Sequence, residues 1–386
     1  MSPLKTLMQQ HLQAELIREL LTLEQQRAYP LSNECHTAAC VQYTDPARFE
    51  QELERLFKRS PQVVALSSEL PQVGDFVTRH VLGMPLLITR SSPHEVHAFI
   101  NVCRHRGAQL VSASAGCQSA FACPYHAWTW SNRGALLRAR LQDHAFPDLK
   151  VQDQGLHALT CVESTGLIWV TLAGGSAAQT EQFIRPLSPE LASWGFADLR
   201  VQCSDTVDVA ANWKLIVEGG IESYHFKVAH RQTIGPHFLD SLSTYRVLGQ
   251  HLRSILPRAS LSRLRDQDPA RWRLREHANI LYNVFPATQF LLMPDHVAWV
   301  QTQPLAVDQT RITLTTLAPD DSEDPTTIAH WQTNQGITRA TLMEDFALNA
   351  STQAGLHTPA NTSLQFGRLE GALHEFNQLV ARQLDA

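Results

Sequence analysis

The sequence predicts an α+β protein in which a small β domain is inserted into a larger α+β domain. Three observations carry this. Helix-like segments stand near both ends of the chain. Short apolar runs with turn chemistry fill residues 61–174. A second series of strand-like runs follows one helix-like block after Asn212. At 386 residues, 44% hydrophobic and 18% charged, the chain has an ordinary globular profile with room for two domains. A formal net charge of −5 gives no reason to expect nucleic acid as a partner. No apolar run approaches the roughly 20 residues that cross a bilayer. The opening residues hold no continuous apolar stretch of the secretory kind, so a cytoplasmic protein is expected. The seven cysteines, an odd number in such a chain, argue for free or metal-bound thiolates over a disulfide framework.

Taken in order, residues 4–26 are rich in Leu, Gln and Glu and read as an amphipathic helix. A second helix is expected at "YTDPARFEQELERLF", with Thr44 as cap and Pro46 in the first turn. From Val63 the runs "VVAL", "PLLITR" and "VHAFINV" read as strands, ending near "GLIWVTLAGG", where Gly174 and Gly175 mark an expected domain edge. The helix-like block "NWKLIVEGGIESYHFKVAH" follows, then the strands "NILYNVF", "TQFLLM", "VAWVQTQPL" and "TRITLTTL". Helices are expected from about Thr326 to Leu356 and from Gly367 to Leu384.

Two constellations carry the chemistry. The first is Cys103-x-His105 with Cys123-x-x-His126. Chance placement is one reading, and a structural Cys2His2 zinc site is another. Each pair, however, mixes one thiolate with one imidazole. That is the arrangement of a Rieske [2Fe–2S] cluster, where two cysteines hold one iron, two histidines hold the other, and each loop reaches both. "CRHRG" and "CPYHAWTW" resemble the two cluster loops of Rieske proteins. The resemblance implies that Pro124, Tyr125 and Trp128 shield the cluster. Ala108 and Tyr125 stand where respiratory Rieske proteins carry a disulfide, which points to the oxygenase or ferredoxin branch. Ala127 replaces a glycine frequent in the family, and is expected to be tolerated if its backbone avoids positive φ.

The second constellation is His225 and His230. Five residues apart on a regular helix, they point about 140° apart, so both reach one metal only if the helix breaks or bends between them. The block resembles the mononuclear iron segment of Rieske non-haem iron oxygenases in "NWK", in Glu218, in "ExYH" and in the second His. The resemblance implies a two-His, one-carboxylate iron site. Its third ligand is expected in "TLMEDFALNASTQAGL": Asp345, with Glu344 as runner-up and Asp205, Asp208 and Glu218 as weaker alternatives. By the same resemblance Glu222 is not a ligand. The resemblance implies that it bridges His225 to a Rieske His126 of a neighbouring subunit. Glu at this place is familiar among members acting on quaternary ammonium compounds, whereas most aromatic-ring dioxygenases carry Asp. Gly219-Gly220 departs from relatives that have side chains there, leaving room beside the iron or loosening the helix.

No G-x-G-x-x-G fingerprint, plant-type ferredoxin cysteine set or flavin motif is present, so electrons are expected from a separate NAD(P)H-dependent reductase, with or without a ferredoxin. The resemblance therefore implies the terminal oxygenase (alpha) component of a Rieske system, a homotrimer holding a Rieske cluster and Fe(II). It hydroxylates a small organic substrate, either an aromatic ring or a quaternary ammonium or N/O-methyl compound. An electron carrier without oxygenase chemistry is the less favoured alternative. The fold it implies is an N-terminal helical segment (1–60) packed on the catalytic domain, a Rieske β domain (61–174) and a helix-grip (START-like) catalytic domain (175–386). Tyr282, Phe285, Phe290 and Trp299 are candidates for a cation cage, but read more readily as sheet core. Cys35, His36 and Cys40 lack a second metal-spaced half and read as incidental; Cys161 and Cys203 read as strand or core residues.

Overall fold

The computed structural model describes residues 3–320 and 322–385; Met1, Ser2, Asp321 and Ala386 lie outside. It divides into two compact units: residues 58–185 with 196–199, and residues 1–57, 186–195 and 200–386.

The first unit is all but entirely β. Seven antiparallel strands run in the order Gln62–Leu66, Leu167–Thr171, Ala158–Ser164, Glu95–Ile100, Met84–Ser92, Asp75–Val81 and Ala115–Cys117. A three-stranded sheet (Ala120–Ala122, Thr129–Ser131, Leu136–Arg138) carries the second Cys/His pair on its first turn. The expected edge at Gly174–Gly175 needs correction. Both glycines have positive φ, +68° and +76°, and make a turn. The unit nevertheless continues through the helix Ala177–Ile184, because that helix packs back on the sheet. Phe183 stands edge-on to Trp169 at 6.3 Å, and the Thr171 and Thr180 hydroxyls meet at 3.4 Å.

The second unit is a seven-stranded antiparallel sheet in the order Arg200–Val209, Gln309–Ala318, Val297–Ala306, Thr288–Leu292, Ala278–Val284, His251–Pro257 and Thr244–Leu248. One face receives the helices Trp213–Ile221 and Pro325–Leu356. Ser254 and Gln289 donate to the Ile221 and Val217 carbonyls of the first, at 3.0 and 3.1 Å. Thr316 donates to Gln335 of the second at 2.5 Å. The long helix has 32 residues, spans about 48 Å at 1.5 Å per residue, and starts at an Asp324 cap followed by Pro325.

The N-terminal segment belongs to this unit, and the "NWK" block shows how. Asn212 caps the helix Trp213–Ile221, its side-chain oxygen accepting from the Lys214 N–H at 3.0 Å. Trp213 Nε1 and Lys214 Nζ both donate to the carboxylate of Glu52, at 2.8 and 2.7 Å. Lys214 and Glu52 are fully buried, so neither charge has water to fall back on. The helix bearing Glu52, Pro46–Glu52, is capped by Asp45, whose side chain accepts from the Ala47 N–H; Thr44, the expected cap, lies one residue too early. The segment also contains a strand that sequence texture did not announce, His36–Ala39, which pairs with Ser363–Phe366.

Removing one partner of this ion pair strands the other in a dry interior. Lys214→Met should lower the unfolding free energy by about 3–5 kcal/mol in urea melts followed by Trp fluorescence. The double variant Lys214→Met/Glu52→Gln should recover much of the loss.

Candidate iron and iron–sulfur sites

In the β unit, the two Cys/His segments have the same backbone. In each, the N–H of the fifth residue donates to the carbonyl of the cysteine: Gly107 to Cys103 at 3.0 Å, Ala127 to Cys123 at 2.9 Å. In each, the cysteine N–H donates to the carbonyl of the sixth residue, Ala108 or Trp128, at 2.8 Å. The fifth residue is left-handed in both, with φ +78° at Gly107 and +58° at Ala127. The condition placed on Ala127 is thus not met: it holds a conformation that costs an L-residue about 1–2 kcal/mol.

These twin turns bring the four side chains to one end of the unit. Cys103 and Cys123 are 3% exposed, and the His105 and His126 ring centroids lie 4.7 Å apart. Nδ1 of both imidazoles is buried without a hydrogen-bond partner, a costly condition unless something else binds there. Burial, with His126 and Arg106 beside it, holds His105 below its ordinary pKa, so the ring is neutral and fit to ligate. Burial pushes the Cys103 thiol up, against backbone N–H groups of His105 and Arg106 that favour the thiolate. Trp128 stacks on His105 at 4.8 Å and Phe146 meets both rings edge-on. Of the three residues expected to shield a cluster, Trp128 is buried, while Pro124 and Tyr125 are exposed. All seven cysteines are unbridged, and Cys117 is exposed.

In the second unit the helix breaks earlier than expected. It ends at Ile221; Glu222 is extended, with φ −128° and ψ 169°. One short turn, Phe226–Ala229, follows, with His225 just before it and His230 just after it. The histidines therefore escape the 140° divergence by flanking a turn, not by bending within a continuous helix. Their ring centroids lie 5.1 Å apart.

Each imidazole is gripped from behind. His225 Nδ1 bonds to Glu222 Oε1, and Glu222 Oε2 accepts from the Tyr224 N–H. His230 Nδ1 lies 2.6 Å from Glu344 Oε2, which also accepts from Thr233 Oγ1 at 2.7 Å. A carboxylate on Nδ1 assigns the proton there and turns the Nε2 lone pair outward. Both Nε2 atoms are buried without a directed hydrogen bond. They face Asp345 Oδ1 at 3.4 and 2.9 Å. Adjacent residues on a helix diverge by about 100°, so Glu344 and Asp345 reach opposite sides of the same imidazole. This donor set, two imidazole nitrogens and one carboxylate converging with their backs held, fits one divalent iron.

The weaker carboxylate alternatives are engaged elsewhere. Asp205 pairs with Arg339 at 2.5 Å and Asp208 with Arg311 at 2.7 Å. Glu218 accepts from Tyr43 and Asn377 at 2.7 and 2.8 Å, and burial, against those bonds, pushes its pKa up to about 7. Gly220 does not leave open room, because a Cβ there would stand 2.6 Å from Gln289 Oε1, which already occupies that space. The aromatic candidates are also displaced. Tyr282, Phe290 and Trp299 lie opposite one another in register. They share the sheet face turned away from Ser254 and Gln289, and hence from the helix leading to His225. Tyr282 is bound there to Glu190 at 2.6 Å. Phe285 is buried just beyond its strand, its N–H donating to His251. Phe226 packs on both His225 and His230, and Phe238 and Leu256 cluster with it, with Ile234 and Leu291 against them. His36 stacks on His374 at 3.1 Å, with Cys35 exposed and Cys40 buried.

Family profiles agree with both halves. The profile described as Rieske [2Fe-2S] domain matches residues 60–152, and that described as ring hydroxylating alpha subunit (catalytic domain) matches residues 196–386. The chain belongs to the Rieske oxygenase alpha subunits. Among the members it resembles, the carnitine monooxygenase oxygenase subunit of Acinetobacter baumannii is 35% identical over 205 residues, 52% of this chain and 53% of that protein. The glycine betaine monooxygenase oxygenase subunit of Pseudomonas aeruginosa is 31% identical over 192 residues, 50% of this chain and 44% of the relative. The anthranilate 1,2-dioxygenase large subunit of Acinetobacter baylyi is 31% identical over 229 residues, 54% and 47% of the two chains. The matched stretch thus spans about half the length of these curated relatives. Among solved structures, a quaternary ammonium Rieske monooxygenase superposes with a TM-score of 0.77 at 23% identity, over 90% of this chain and 95% of that one. Naphthalene 1,2-dioxygenase gives 0.72 at 17%, over 91% and 92%. At these identities the likeness concerns the fold. Among the described residues of this Rieske alpha subunit, no helix is long and apolar enough to cross a membrane.

Two outcomes follow from the geometry. Ala127→Gly should relieve the left-handed strain and raise stability by about 1 kcal/mol, read as a higher Tm with unchanged cluster absorbance. In the metal-free protein, burial opposes charge on His225, but Asp345 and Glu222 outweigh it and hold its pKa near about 10. The protonated ring stabilises the metal-free fold fully below the unfolded value of about 6.5, and that contribution is lost as pH rises through about 10. At pH 7.5, ferrous iron must displace that proton. Calorimetry in buffers of different ionisation enthalpy should show about one proton released per iron, with affinity falling about tenfold for each unit of acidification.

Proposed function

We propose that this chain is the terminal oxygenase of a Rieske non-haem iron system, hydroxylating a small organic substrate with electrons from a separate NAD(P)H-dependent reductase. The observation that carries this reading is the pair of orphaned Nε2 atoms of His225 and His230 facing Asp345 in a chain that also presents the two mixed Cys/His turns. A carrier would need only the second of these.

In this reading Cys103, His105, Cys123 and His126 hold the cluster, and His225, His230 and Asp345 hold the iron. Single-electron transfer is the chemistry of the first and dioxygen activation that of the second. The protein's own part is positional. Glu222 and Glu344 keep both imidazoles in the ligating tautomer, and Thr233 steadies Glu344. Phe226, Phe238 and Leu256 exclude water beside them. Glu222 has oxygen lone pairs left for a His126 of a neighbouring subunit, the bridge expected of a homotrimer. Inter-subunit electron transfer is described for a quaternary ammonium Rieske monooxygenase of the same fold.

A quaternary ammonium substrate is the favoured class over an aromatic ring. Two things support it: Glu at position 222, and the likeness to carnitine and glycine betaine monooxygenase subunits. The recognising groups would not be Tyr282, Phe290 and Trp299, which turn to the other face of the sheet.

Asp345→Ala should abolish turnover and iron retention while leaving the visible spectrum of the cluster intact; full turnover in that variant would remove Asp345 as a ligand. Glu344→Ala should keep the site but weaken iron binding about 10–100-fold. A substrate panel of methylammonium compounds and aromatic acids, run in labelled dioxygen, separates one from two incorporated oxygens by product mass. Turnover of the aromatic acids alone would overturn the ammonium reading.

A further inference from the structure

On the sheet face that receives the helix leading to His225, one cation has no counter-ion. Ser254, Leu256 and Arg258 alternate along the end of the strand His251–Pro257, and Arg258 keeps the extended backbone, with φ −81° and ψ 157°. Ser254 marks the face, since it donates to the Ile221 carbonyl. Leu256 clusters with Phe226 and Phe238, and the Phe226 ring meets His225 and His230 at 4.9 and 5.5 Å. Arg258 comes next, about 7 Å further along the strand. Its guanidinium lies 5.8 Å from the centroid of the Phe238 ring, which stands 5.3 Å from Phe226. The iron ligands, an apolar wall and a cation thus follow one another on one face.

The backbone of Arg258 is fixed on both sides. Its N–H donates to the His277 carbonyl at 2.8 Å, and it forms an isolated antiparallel bridge with Phe238. Asn279, the ladder partner of Leu256, accepts from Nε and Nη2 at 3.2 and 2.7 Å. That occupies one side of the guanidinium. The Nη1–Nη2 edge, which suits the two oxygens of a carboxylate, meets no acceptor among the described residues. Burial pulls the Arg258 pKa down, and Asp295 opposes that from a distance. The Asp295 carboxylate is itself held by His296 and His330, at 2.7 and 2.9 Å. A half-buried cation without a counter-ion is costly. The iron end has the opposite sign, because Glu222, Glu344 and Asp345 gather there.

We propose that Arg258 is a specificity-determining residue: its free guanidinium edge receives a carboxylate at one end of a substrate whose other end reacts at the iron. The proposal rests on the reading of His225, His230 and Asp345 as the iron site, and it narrows the substrate class. A methylammonium compound with a carboxylate tail lies with its cationic end toward the acid-rich iron ligands and its tail on Arg258. The side chains of Phe226, Leu256 and Phe238 suit the methylene segment between. A simple cation of the same length would leave Arg258 unpaired and be repelled by it. A two-point, charge-assisted bond sets orientation as well as affinity. Arg258 thereby binds and aligns the substrate and takes no part in the chemistry.

The test uses the intact holoenzyme and two matched pairs of probes: 4-(trimethylammonio)butanoate against its carboxamide, and 4-methoxybenzoate against 4-methoxybenzamide. Within each pair the negative charge is lost while the shape is kept. Anaerobic calorimetry should show the ammonium acid bound at least about tenfold more tightly than its amide. Arg258→Gln should weaken the acid about 10–100-fold and leave the amide unchanged, and Arg258→Lys should keep part of the preference. In single turnovers of dithionite-reduced enzyme with dioxygen, Arg258→Gln should raise the substrate concentration for half-maximal product and spare the yield at saturation. Equal affinity for acid and amide in both pairs overturns the proposal. So does an acid preference that survives Arg258→Gln, or equal weakening of acid and amide, the mark of a residue that only braces Phe238. An Arg258-dependent preference confined to the methoxy pair keeps the carboxylate subsite and overturns the ammonium reading. Wild-type protein that retains no iron would overturn the iron-site reading, and the subsite with it.

Discussion

The second unit is organised around one constraint: two imidazoles must present Nε2 to a single point while each is held by a carboxylate at Nδ1. Glu222 lies three residues before His225, and Glu344 comes from a distant helix to His230. A free imidazole spins and tautomerises, so its lone pair is not reliably available to a metal. Fixing Nδ1–H removes both freedoms. The cost is two carboxylates and two imidazoles in a partly buried space, which is tolerable only because opposite charges and hydrogen bonds pair them.

The surrounding architecture keeps that arrangement in place. The helix ending at Ile221 aims the chain toward His225, and the long helix carries Glu344 and Asp345. Gln353, two turns beyond Asp345, joins them: its oxygen accepts from the Asn212 N–H at 2.9 Å, and its nitrogen donates to the Tyr43 carbonyl at 3.3 Å. Asn212 in turn donates to the Val307 carbonyl at 2.7 Å. Residues far apart in sequence thus meet at the start of the helix that leads to the histidines. The Glu52 carboxylate then binds Trp213 and Lys214 from the N-terminal segment. The "NWK" triplet holds the scaffold of the candidate site.

The Cys/His end solves a comparable problem by repetition. Two turns of the same hydrogen-bonding pattern place a cysteine first and a left-handed residue fifth, and differ only in whether histidine is third or fourth. That one-residue offset distinguishes the two pairs in sequence. The strain at Ala127 is the visible consequence of imposing one backbone on two sequences. Such strain persists where surrounding structure over-determines the conformation, here through the Trp128 carbonyl and the stack of Trp128 on His105.

By itself the sequence determined residue chemistry and spacing: which four side chains make the mixed Cys/His pairs, that His225 and His230 stand close along the chain, and that carboxylates lie in "MEDF". These are local facts, written in adjacent letters. What distinguishes Asp345 from Glu344 is not local. Both are acids on one helix, and only the tertiary placement of His230 decides which meets Nε2 and which meets Nδ1. The same holds for Tyr282, Phe290 and Trp299. Strand periodicity puts alternate residues on opposite faces, but the face that receives the helices is set by packing across the sheet. The break at Glu222, the filling of the Gly220 space by Gln289, and the continuation of the β unit to Arg185 were hidden for a related reason. Each depends on a partner remote in the chain, and spacing along a sequence carries no record of what stands opposite in space.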